Sequence, residues 1–596
     1  MGLALPRLCL ALLLIPLSAL ATDRQALENA RARALFERVF EEQVSLSPMY
    51  QTHLGRKTHY GEWDDISPAA EELEQRLYAD QLRRVEALDA ELLSEENRLN
   101  QALLARELRQ NQAHYRWRDH SYPVNQMFGL HAGIASFLIN SHRVDNPADA
   151  EAYIQRLRGV SDLITQLIDN LERRAQKGVL APAFVYPYVI SDSRNLIQGA
   201  PFTREGISPL MADFTHKVSA LELTPAEQKK LEHRAAEALR TELEPAYQTL
   251  ISKLEQLALR ADNRAGVWKL PNGNAYYQAR LQAMTTTEMS AEEVHQFGLS
   301  EVARIHDEMR NLIANIGFEG SLAAFFGHIK DDPALYYPDT TAGRKRYLQD
   351  TREIIDGMRQ ALPQLFGHLP EADLHVKAVE PFREKSAGKA FYQAPAEDGS
   401  RPGIYYVNLH DLSAMPRYQM EALAYHEALP GHHMQIAIAQ EMDELPAFRR
   451  HGHYTAYIEG WGLYAERVPK ELGFYRDPYS DFGRLSFELW RAIRLVVDTG
   501  IHHYRWSRDE AITYFIDNSP MNQADATREV ERYIVMPGQA TSYKIGLEKI
   551  LRLREKARAE LGGRFKLREF HDQVLSSGAL PLDILEQSID DWIASK

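Results

Sequence analysis

The sequence predicts a mainly α-helical protein with a small β-hairpin or sheet, and three observations lead to this fold class. Long stretches carry apolar residues at helical spacing, and two of them open with capping boxes at 224–227 and 290–293. Strand patterns are few, and no repeat or low-complexity linker divides the 596 residues. We therefore expect one large multi-helix domain over 22–596, with a helical N-terminal half (about 22–370) packed against a C-terminal half (about 371–596) across a deep cleft.

The N-terminal segment 1–21 has the pattern of a secretory signal. Arg7 precedes an apolar run at 8–17, and 19–21 reads Ala-Leu-Ala, a small-x-small cleavage site. The run is too short to span a bilayer. The only cysteine, Cys9, lies inside it and is too early for a lipid-attachment site, so the mature chain would contain no thiol and no disulfide. We expect a periplasmic or secreted protein without stable membrane insertion after signal cleavage.

The charge balance argues against a nucleic-acid partner. The chain carries a formal net charge of −14, whereas nucleic acid is bound through clustered lysines and arginines. The densest basic run, Arg344-Lys345-Arg346, is typical of a solvated helix face. We expect no nucleic-acid binding.

Helix signals are clearest in the middle of the chain. Thr224 with Pro225 opens an apolar pattern that continues to Leu257, and Pro245 inside it predicts a kink or two helices. The helix that follows the second capping box is expected to end at Gly298, because glycine often ends helices.

Two short runs at 391–393 and 404–407 predict a β-hairpin, because a loop containing Pro, Asp and Gly separates them. A strand edge can hold an extended peptide through main-chain hydrogen bonds. Asn408, at the end of the second run, is therefore a candidate substrate contact. A small sheet with a purely structural role is an equally good interpretation.

The segment His426-Glu427-Ala428-Leu429-Pro430-Gly431-His432-His433 carries the strongest chemical signal. The zinc motif H-E-x-x-H supplies two ligands from one helix face, with the glutamate between them as general base. Here the second histidine comes six or seven residues after the first. On an ideal helix these positions lie about 240° and about 20° away, respectively.

The proline and glycine in this segment must bulge or kink the helix, so counting angles past them fails. Either His432 or His433 is therefore a candidate to join His426 at a metal. The alternative is a buried helix with histidines and no metal.

Two downstream glutamates, Glu459 and Glu466, lie two helical turns apart on one face. A thermolysin-like site uses two histidines and one glutamate as ligands. One glutamate could bind the metal while the other orients a ligand. Taken alone, the segment would be an amphipathic helix with its glutamates in solvent.

The pattern H-E-x-x-P-G-H-H followed by E-G-W-G-L-Y-A-E resembles the bacterial family called domain of unknown function 885. That family is related to the gluzincin metallopeptidases, and its fold is similar to those of the mostly helical Taq-type carboxypeptidases and angiotensin-converting-enzyme-like peptidases. Segments 286–298, 403–408 and 537–546 support the resemblance, which covers nearly the whole mature chain.

The resemblance favours His432 over His433 as the second ligand. Together with the motif and its spacing, this gives a Zn2+ site formed by His426, His432 and Glu459. Glu427, next to the first ligand, is then the candidate general base.

Hydrolysis of an amide also needs a hydrogen-bond donor for the tetrahedral oxyanion. In related peptidases a tyrosine or histidine of the C-terminal half supplies it, so the resemblance implies Tyr543, which follows the turn at 537–538. Its neighbour Lys544 is a candidate substrate-binding residue. A core tyrosine with a satisfied hydroxyl is the alternative.

Arg491, Arg494 and Asp498 follow one another at helical spacing. Arg494 and Asp498 are expected to form an intrahelical ion pair. Alternatively, Arg491 or Arg494 anchors a substrate carboxylate bidentately, as a carboxypeptidase would require.

We therefore expect an exported zinc-dependent metallopeptidase that hydrolyses peptide substrates, with a carboxypeptidase-like mode as one form of it. Two alternatives remain open. One is a zinc amidohydrolase acting on peptidoglycan stem peptides, and the other is a metal-free binding or scaffold protein on the same fold. The sequence leaves open endo- or exopeptidase mode, side-chain preference and oligomeric state.

Overall fold

A computed structural model describes residues 17–379, 384, 387–396, 399 and 401–596. Its described part is mainly helical with one small sheet, which confirms the predicted fold class. No helix among the described residues is both long and apolar enough to cross a membrane. Most of the predicted signal segment 1–21 lies outside the described residues, so its cleavage remains a prediction.

Many helices begin at a serine, threonine, asparagine or aspartate whose side chain accepts a hydrogen bond from the first turn. In chain order the helices are α1 (Leu17–Ser45), α2 (Pro48–His53), α3 (Pro68–Glu86), α4 (Glu95–His114), α5 (Leu130–Asn140), α6 (Pro147–Gln176), α7 (Val185–Leu196), α8 (Pro209–Ser219), α9 (Pro225–Ala238), α10 (Glu244–Ala258), α11 (Gly273–Thr285), α12 (Ala291–Ile316), α13 (Leu322–Asp331), α14 (Thr341–Leu365), α15 (Met420–Glu427), α16 (His432–Gln440), α17 (Ala447–Arg450), α18 (Thr455–Arg467), α19 (Pro478–His502), α20 (Arg508–Asn518), α21 (Gln523–Val535), α22 (Ser542–Leu561), α23 (Leu567–Leu575) and α24 (Leu582–Ser595). The strands are β1 (Leu374–Ala378), β2 (Ala390–Gln393) and β3 (Gly403–Val407).

The local helix signals of the middle region are largely confirmed. Both capping boxes form, with the side chains of Thr224 and Ser290 accepting from the backbone N–H groups three residues on. The region around Pro245 consists of two helices, α9 and α10, joined by a π-helical turn at Leu239–Leu243. Proline lacks the N–H that a continuous helix would need there.

The predicted helix end at Gly298 is wrong. Helix α12 continues to Ile316 and ends at Gly317, which has a φ of +81°. A Cβ atom at Gly298 would lie only 2.7 Å from the Cβ of Leu495 on α19. The glycine therefore permits close packing of α12 on α19, and this long-range contact overrides its tendency to end a helix.

The sheet has the order β1-β3-β2, with β3 parallel to β1 and antiparallel to β2. The β2–β3 pair confirms the predicted hairpin, whereas β1 was not foreseen from the sequence. The hydroxyl of Tyr392 on β2 lies 3.0 Å from Nδ1 of His433 at the start of α16. The sheet therefore packs directly beside the helix that follows the Pro-Gly pair.

Buried apolar residues form two large clusters. One joins residues between 122 and 329 to residues between 418 and 540, and the other joins 32–108 and 294–366 to residues between 376 and 593. Helix α19 contributes to both, with Leu489 in the first and Leu495 in the second. Each cluster thus contains residues from before and after position 370. The predicted division into an N-terminal and a C-terminal half at about that position remains a prediction.

Candidate metal centre

The sequence predicts a bulge or kink at the Pro-Gly pair, and the structure has a complete break there that divides the motif between two helices. Helix α15 ends at Glu427 and α16 begins at His432, with residues 428–431 between them. A Cβ atom at Gly431 would lie 1.8 Å from the carbonyl oxygen of His426, so only glycine fits at this position. The break lets the second histidine turn back towards the first.

His426 of α15 and His432 of α16 meet Glu459 of α18 beside this break. One oxygen of Glu459, Oε2, lies 3.4 Å from Nε2 of His426 and 3.4 Å from Nε2 of His432. The two imidazole rings meet edge to face, with 4.6 Å between their centres. One possible ligand atom from each of the three residues lies within 4.8 Å of the others.

This donor set fits a zinc ion. Zinc bonds of about 2.1 Å at tetrahedral angles separate neighbouring ligand atoms by about 3.4 Å. Glu459 Oε2 is buried and has no hydrogen-bond partner among the described residues. A buried carboxylate oxygen without a hydrogen bond is costly, and a cation between it and the two imidazoles would offset that cost.

His433 points away from this cluster. Its Nδ1 lies 3.0 Å from the hydroxyl of Tyr392 and its Nε2 lies 3.1 Å from the carbonyl oxygen of Ala372. Burial lowers the pKa of His433 to about 4. The structure therefore brings His432, and not its neighbour, to His426 and Glu459.

Glu466 stands behind the cluster. Its Oε1 lies 2.7 Å from Nδ1 of His426 and 3.3 Å from Nη2 of Arg491, and all three side chains are buried. A hydrogen bond from Nδ1 to this carboxylate leaves Nε2 with its lone pair directed at the cluster. Of the two glutamates, Glu459 therefore lies among the candidate ligands and Glu466 orients one of them.

The electric field of the site favours positive charge. Burial lowers the pKa of His426, but Glu459 and Glu466 more than offset this and raise it to about 9. Burial raises the pKa of Glu459, and the two imidazoles outweigh burial and hold it well below its usual range. Carboxylates that stabilise an imidazolium here would equally stabilise a divalent cation.

Glu427, the last residue of α15, is buried beside the two candidate histidine ligands. Burial raises the pKa of its carboxyl group, and the charges of His426 and His432 offset part of this rise. A carboxylate with a raised pKa accepts a proton from water more readily near neutral pH.

The two glycines of E-G-W-G have a steric role that the sequence alone did not indicate. A Cβ atom at Gly462 would lie 2.6 Å from Cε1 of His426, and one at Gly460 would lie 2.6 Å from Cα of Gly546. The indole of Trp461, between them, donates to the carbonyl oxygen of Pro430 at 2.9 Å. Helix α18 therefore packs against the His426 ring, α22 and the Pro-Gly turn at once.

Tyr543 lies on the first turn of α22, near Glu459. Burial raises the pKa of its hydroxyl, and the Glu459 carboxylate contributes to this rise. The guanidinium of Arg494 packs 4.4 Å from the centre of the tyrosine ring, and Nε2 of Gln539 donates to the hydroxyl at 3.4 Å. The ring is thus fixed while its hydroxyl has one long hydrogen bond among the described residues.

The predicted ion pair between Arg494 and Asp498 is wrong. Arg494 donates to Glu529 on α21 at 3.1 Å, whereas Asp498 accepts from the hydroxyl of Tyr277 at 2.6 Å and from the backbone of Gly538 at 3.1 Å. Helix spacing permitted the pair, but better donors from other helices occupy the aspartate.

Two predicted substrate contacts are occupied by other groups. The ammonium of Lys544 lies 2.7 Å from both Glu301 and Glu488 and is fully buried. The side-chain amide of Asn408 donates to the carbonyl oxygens of Glu384 at 2.7 Å and Ala387 at 3.0 Å. Contact of either residue with substrate remains a prediction.

A cavity of about 920 Å³ is lined by Asn408, Trp490 and Glu529 among others, and His426, His432 and Glu459 are not among its lining residues. Glu529 on its wall pairs with Arg494, whose guanidinium packs over the Tyr543 ring.

The chain is similar to proteins of one bacterial family and to solved structures. A family model described as bacterial protein of unknown function (DUF885) matches residues 48–589. A crystal structure from Colwellia psychrerythraea is 31% identical, covers 96% of this chain and 100% of its own, and superposes with a TM-score of 0.90. One from Shewanella oneidensis is 18% identical, covers 93% and 98%, and has a TM-score of 0.69, which shows the same fold. Both are described as a "putative lipoprotein". No curated protein matches the chain.

We expect Gly462→Ala to lower the free energy of unfolding by about 1–3 kcal/mol, because the added methyl group meets the His426 ring. Urea unfolding with a metal chelator present measures this cost. In a His426→Ala background the same change should cost much less, since the ring is gone. Gly357→Ala on α14, where the added methyl has no neighbour within 4 Å, is the matched control and should not destabilise. Equal costs of Gly462→Ala in both backgrounds would contradict this steric account.

Proposed function

We propose that this chain, which belongs to the bacterial DUF885 family, is an exported zinc-dependent hydrolase of peptide bonds. One observation carries the proposal: a single buried oxygen of Glu459 lies 3.4 Å from an imidazole nitrogen of each of His426 and His432. Two histidines and one glutamate are a ligand set that leaves a coordination position open for water or substrate.

When bound, zinc supplies Lewis acidity, which polarises a carbonyl group and makes water a stronger nucleophile at neutral pH. The chain supplies the proton transfers. The Glu427 carboxylate accepts a proton from the attacking water and returns it to the leaving amine, and its raised pKa suits both roles.

Glu466 and Arg491 support the first ligand. Glu466 accepts the Nδ1 proton of His426, which fixes the ring and its tautomer, and Arg491 balances the charge of that carboxylate in the interior. Neither side chain touches substrate in this proposal, so we regard both as positioning residues.

Tyr543 is the proposed donor to the oxyanion that forms on the carbonyl oxygen. Its ring is fixed by Arg494, and its hydroxyl can turn from the long bond with Gln539 towards a developing negative charge. A neutral hydroxyl is required for this role, and burial keeps it protonated by raising its pKa.

Export is supported by the predicted signal segment 1–21 and by the 31% identical protein from Colwellia psychrerythraea, which is described as a "putative lipoprotein". In this chain Cys9 lies within the apolar run, too early for lipid attachment. We therefore propose a cleaved signal and a periplasmic or secreted mature protein.

The purified protein should contain about one zinc per chain, because the three-residue donor set forms one site. His432→Ala should remove the zinc, since it deletes one ligand. His433→Ala is the matched control and should retain it, because that ring bonds to Tyr392 and Ala372 instead. Elemental analysis after dialysis against chelator and zinc measures the content. Loss of zinc in the His433 variant alone would contradict the assignment, and a wild type without zinc would favour the scaffold alternative.

Glu427→Gln should retain zinc and reduce turnover of a peptide library by at least about 10²-fold, because the amide cannot accept the water proton. Mass spectrometry of the digest measures turnover. Glu421→Gln on the same helix is the control and should keep wild-type turnover, since Glu421 lies about one and a half turns away. Wild-type activity in the Glu427 variant would exclude it as the base. Cleavage confined to peptidoglycan stem peptides would select the amidohydrolase alternative.

Tyr543→Phe should lower kcat by about 10²–10³-fold with little change in KM, because the lost hydrogen bond forms mainly in the transition state. The ring remains, so we expect the melting temperature to stay close to that of the wild type. Tyr457→Phe is the control: its hydroxyl donates to the backbone of Val574 at 2.7 Å, so its loss should affect stability and leave kcat unchanged. A rise in KM alone for the Tyr543 variant would make it a substrate-binding group instead.

A further inference from the structure

A second cavity, of about 450 Å³, lies between α1, α4, α11 and the segment that leads into α18. Its walls carry the aromatic rings of Phe40, Tyr50, Phe448 and Tyr454 and the carboxylate of Glu107. A volume of this size is typical of a ligand pocket. The proposed function leaves all of these residues unused.

This cavity lies at the start of α18, the helix that carries Glu459. Thr455 on its wall precedes Glu459 by four residues on α18, so the two side chains share a face about 6 Å apart along the helix axis. Met284, also on the wall, accepts at its carbonyl oxygen from the Ser542 hydroxyl at 3.0 Å. Ser542 directly precedes Tyr543, so the cavity borders the helices of a candidate ligand and of the candidate oxyanion donor.

Glu107 is chemically unusual in this wall. Its carboxylate has no hydrogen bond or ion pair among the residues that the structure describes. Burial raises its pKa to about 7. Tyr454 lies close enough for the Glu107 charge to add to the effect of burial in raising the pKa of its hydroxyl. A half-buried carboxylate without a partner at a cavity wall is a site where a cation would be stabilised.

The other ionisable groups of the wall add little positive charge that would repel a cation. Arg280 is the one arginine or lysine among the described lining residues, and its Nε donates to the carbonyl oxygen of Pro537 at 3.4 Å. Burial lowers the pKa of His114 and of His453, so both are mainly neutral at neutral pH. Aromatic rings attract cations through their faces and pack well against methylene chains.

We propose that this cavity is a substrate subsite that binds a lysine or arginine side chain, with Glu107 accepting hydrogen bonds from its charged end. The aromatic rings would pack along the methylene stem. This inference rests on the proposed hydrolase function, because the cavity then holds a side chain of the peptide whose scissile bond lies at the metal cluster. It assigns a preference for basic residues near the cleavage position.

Binding can be measured without turnover in zinc-loaded Glu427→Gln protein. The probes are blocked hexapeptides that are identical except for one position, which carries lysine, norleucine or glutamate and is moved along the peptide. At one position the lysine peptide should bind about tenfold or more tighter than the norleucine peptide, because a charge-assisted hydrogen bond is gained. Calorimetry measures both dissociation constants.

Adding Glu107→Gln should bring the lysine-to-norleucine ratio to about one, since the amide keeps the shape and removes the charge. Glu95→Gln, an exposed change of the same charge on the same helix, is the matched control and should keep the ratio. A melting temperature close to the parent's shows that the Glu107 variant is folded. Should that variant fail to fold, Tyr454→Leu provides a second test and should weaken binding of the lysine peptide.

Equal binding of the lysine and norleucine peptides at every position would overturn the subsite. The subsite would also be overturned if the glutamate peptide bound most tightly and this preference were lost in Arg280→Gln. That result would assign the cavity to acidic side chains. The hydrolase proposal fails by a different result. If the protein binds the lysine peptide selectively but the wild type cleaves no peptide, the hydrolase proposal is overturned and the binding subsite stands. Cleavage by the wild type without any preference for basic residues would overturn the subsite alone.

Discussion

The carboxylate of Glu459 lies between the imidazoles of His426 and His432, and the surrounding structure is organised to hold this arrangement in the interior. Three ionisable groups so close together are stable in a buried place only if their charges are balanced. Helix α18 supplies the balancing carboxylates. Its Gly462 leaves space for the His426 ring, because a Cβ atom at this position would lie 2.6 Å from Cε1 of His426. The site thus depends on how closely α18 approaches α15.

Behind the cluster, buried charges are compensated by charges of opposite sign. Arg491 faces Glu466, Arg494 faces Glu529, and the ammonium of Lys544 lies between two glutamates on α12 and α19. Removing one member of such a pair leaves the other without compensation in a low-dielectric interior, which costs far more than the pair contributes. These ion pairs therefore fix the relative positions of α12, α18, α19, α21 and α22, of which α18 carries Glu459 and α22 carries Tyr543.

Two cavities are linked to the site through individual contacts. In the larger one, about 920 Å³, Glu529 pairs with Arg494, which packs on the Tyr543 ring, and the smaller one, about 450 Å³, is lined by Thr455, four residues before Glu459. An extended peptide that crosses a metal centre presents side chains on both sides of its scissile bond. The two cavities would offer such a substrate walls of different chemistry: charged pairs in one, and aromatic rings with a lone carboxylate in the other.

The sequence by itself determined the helical class, both capping boxes, the β2–β3 hairpin and a bulge or kink at Pro430–Gly431, because each depends on residues close together in the chain. It also identified His426, Glu427 and Glu459 as candidates, but left the choice between His432 and His433 to a resemblance. Only the tertiary structure decided which partners His433, Gly298 and Asp498 contact, because these partners lie in distant segments of the chain. His433 is taken up by Tyr392 of the sheet, Gly298 serves the contact with α19, and Asp498 pairs with Tyr277 in place of Arg494. In each case a partner far away in the chain outweighs the local preference, since burial rewards the best-packed and best-bonded partner wherever it lies in the sequence.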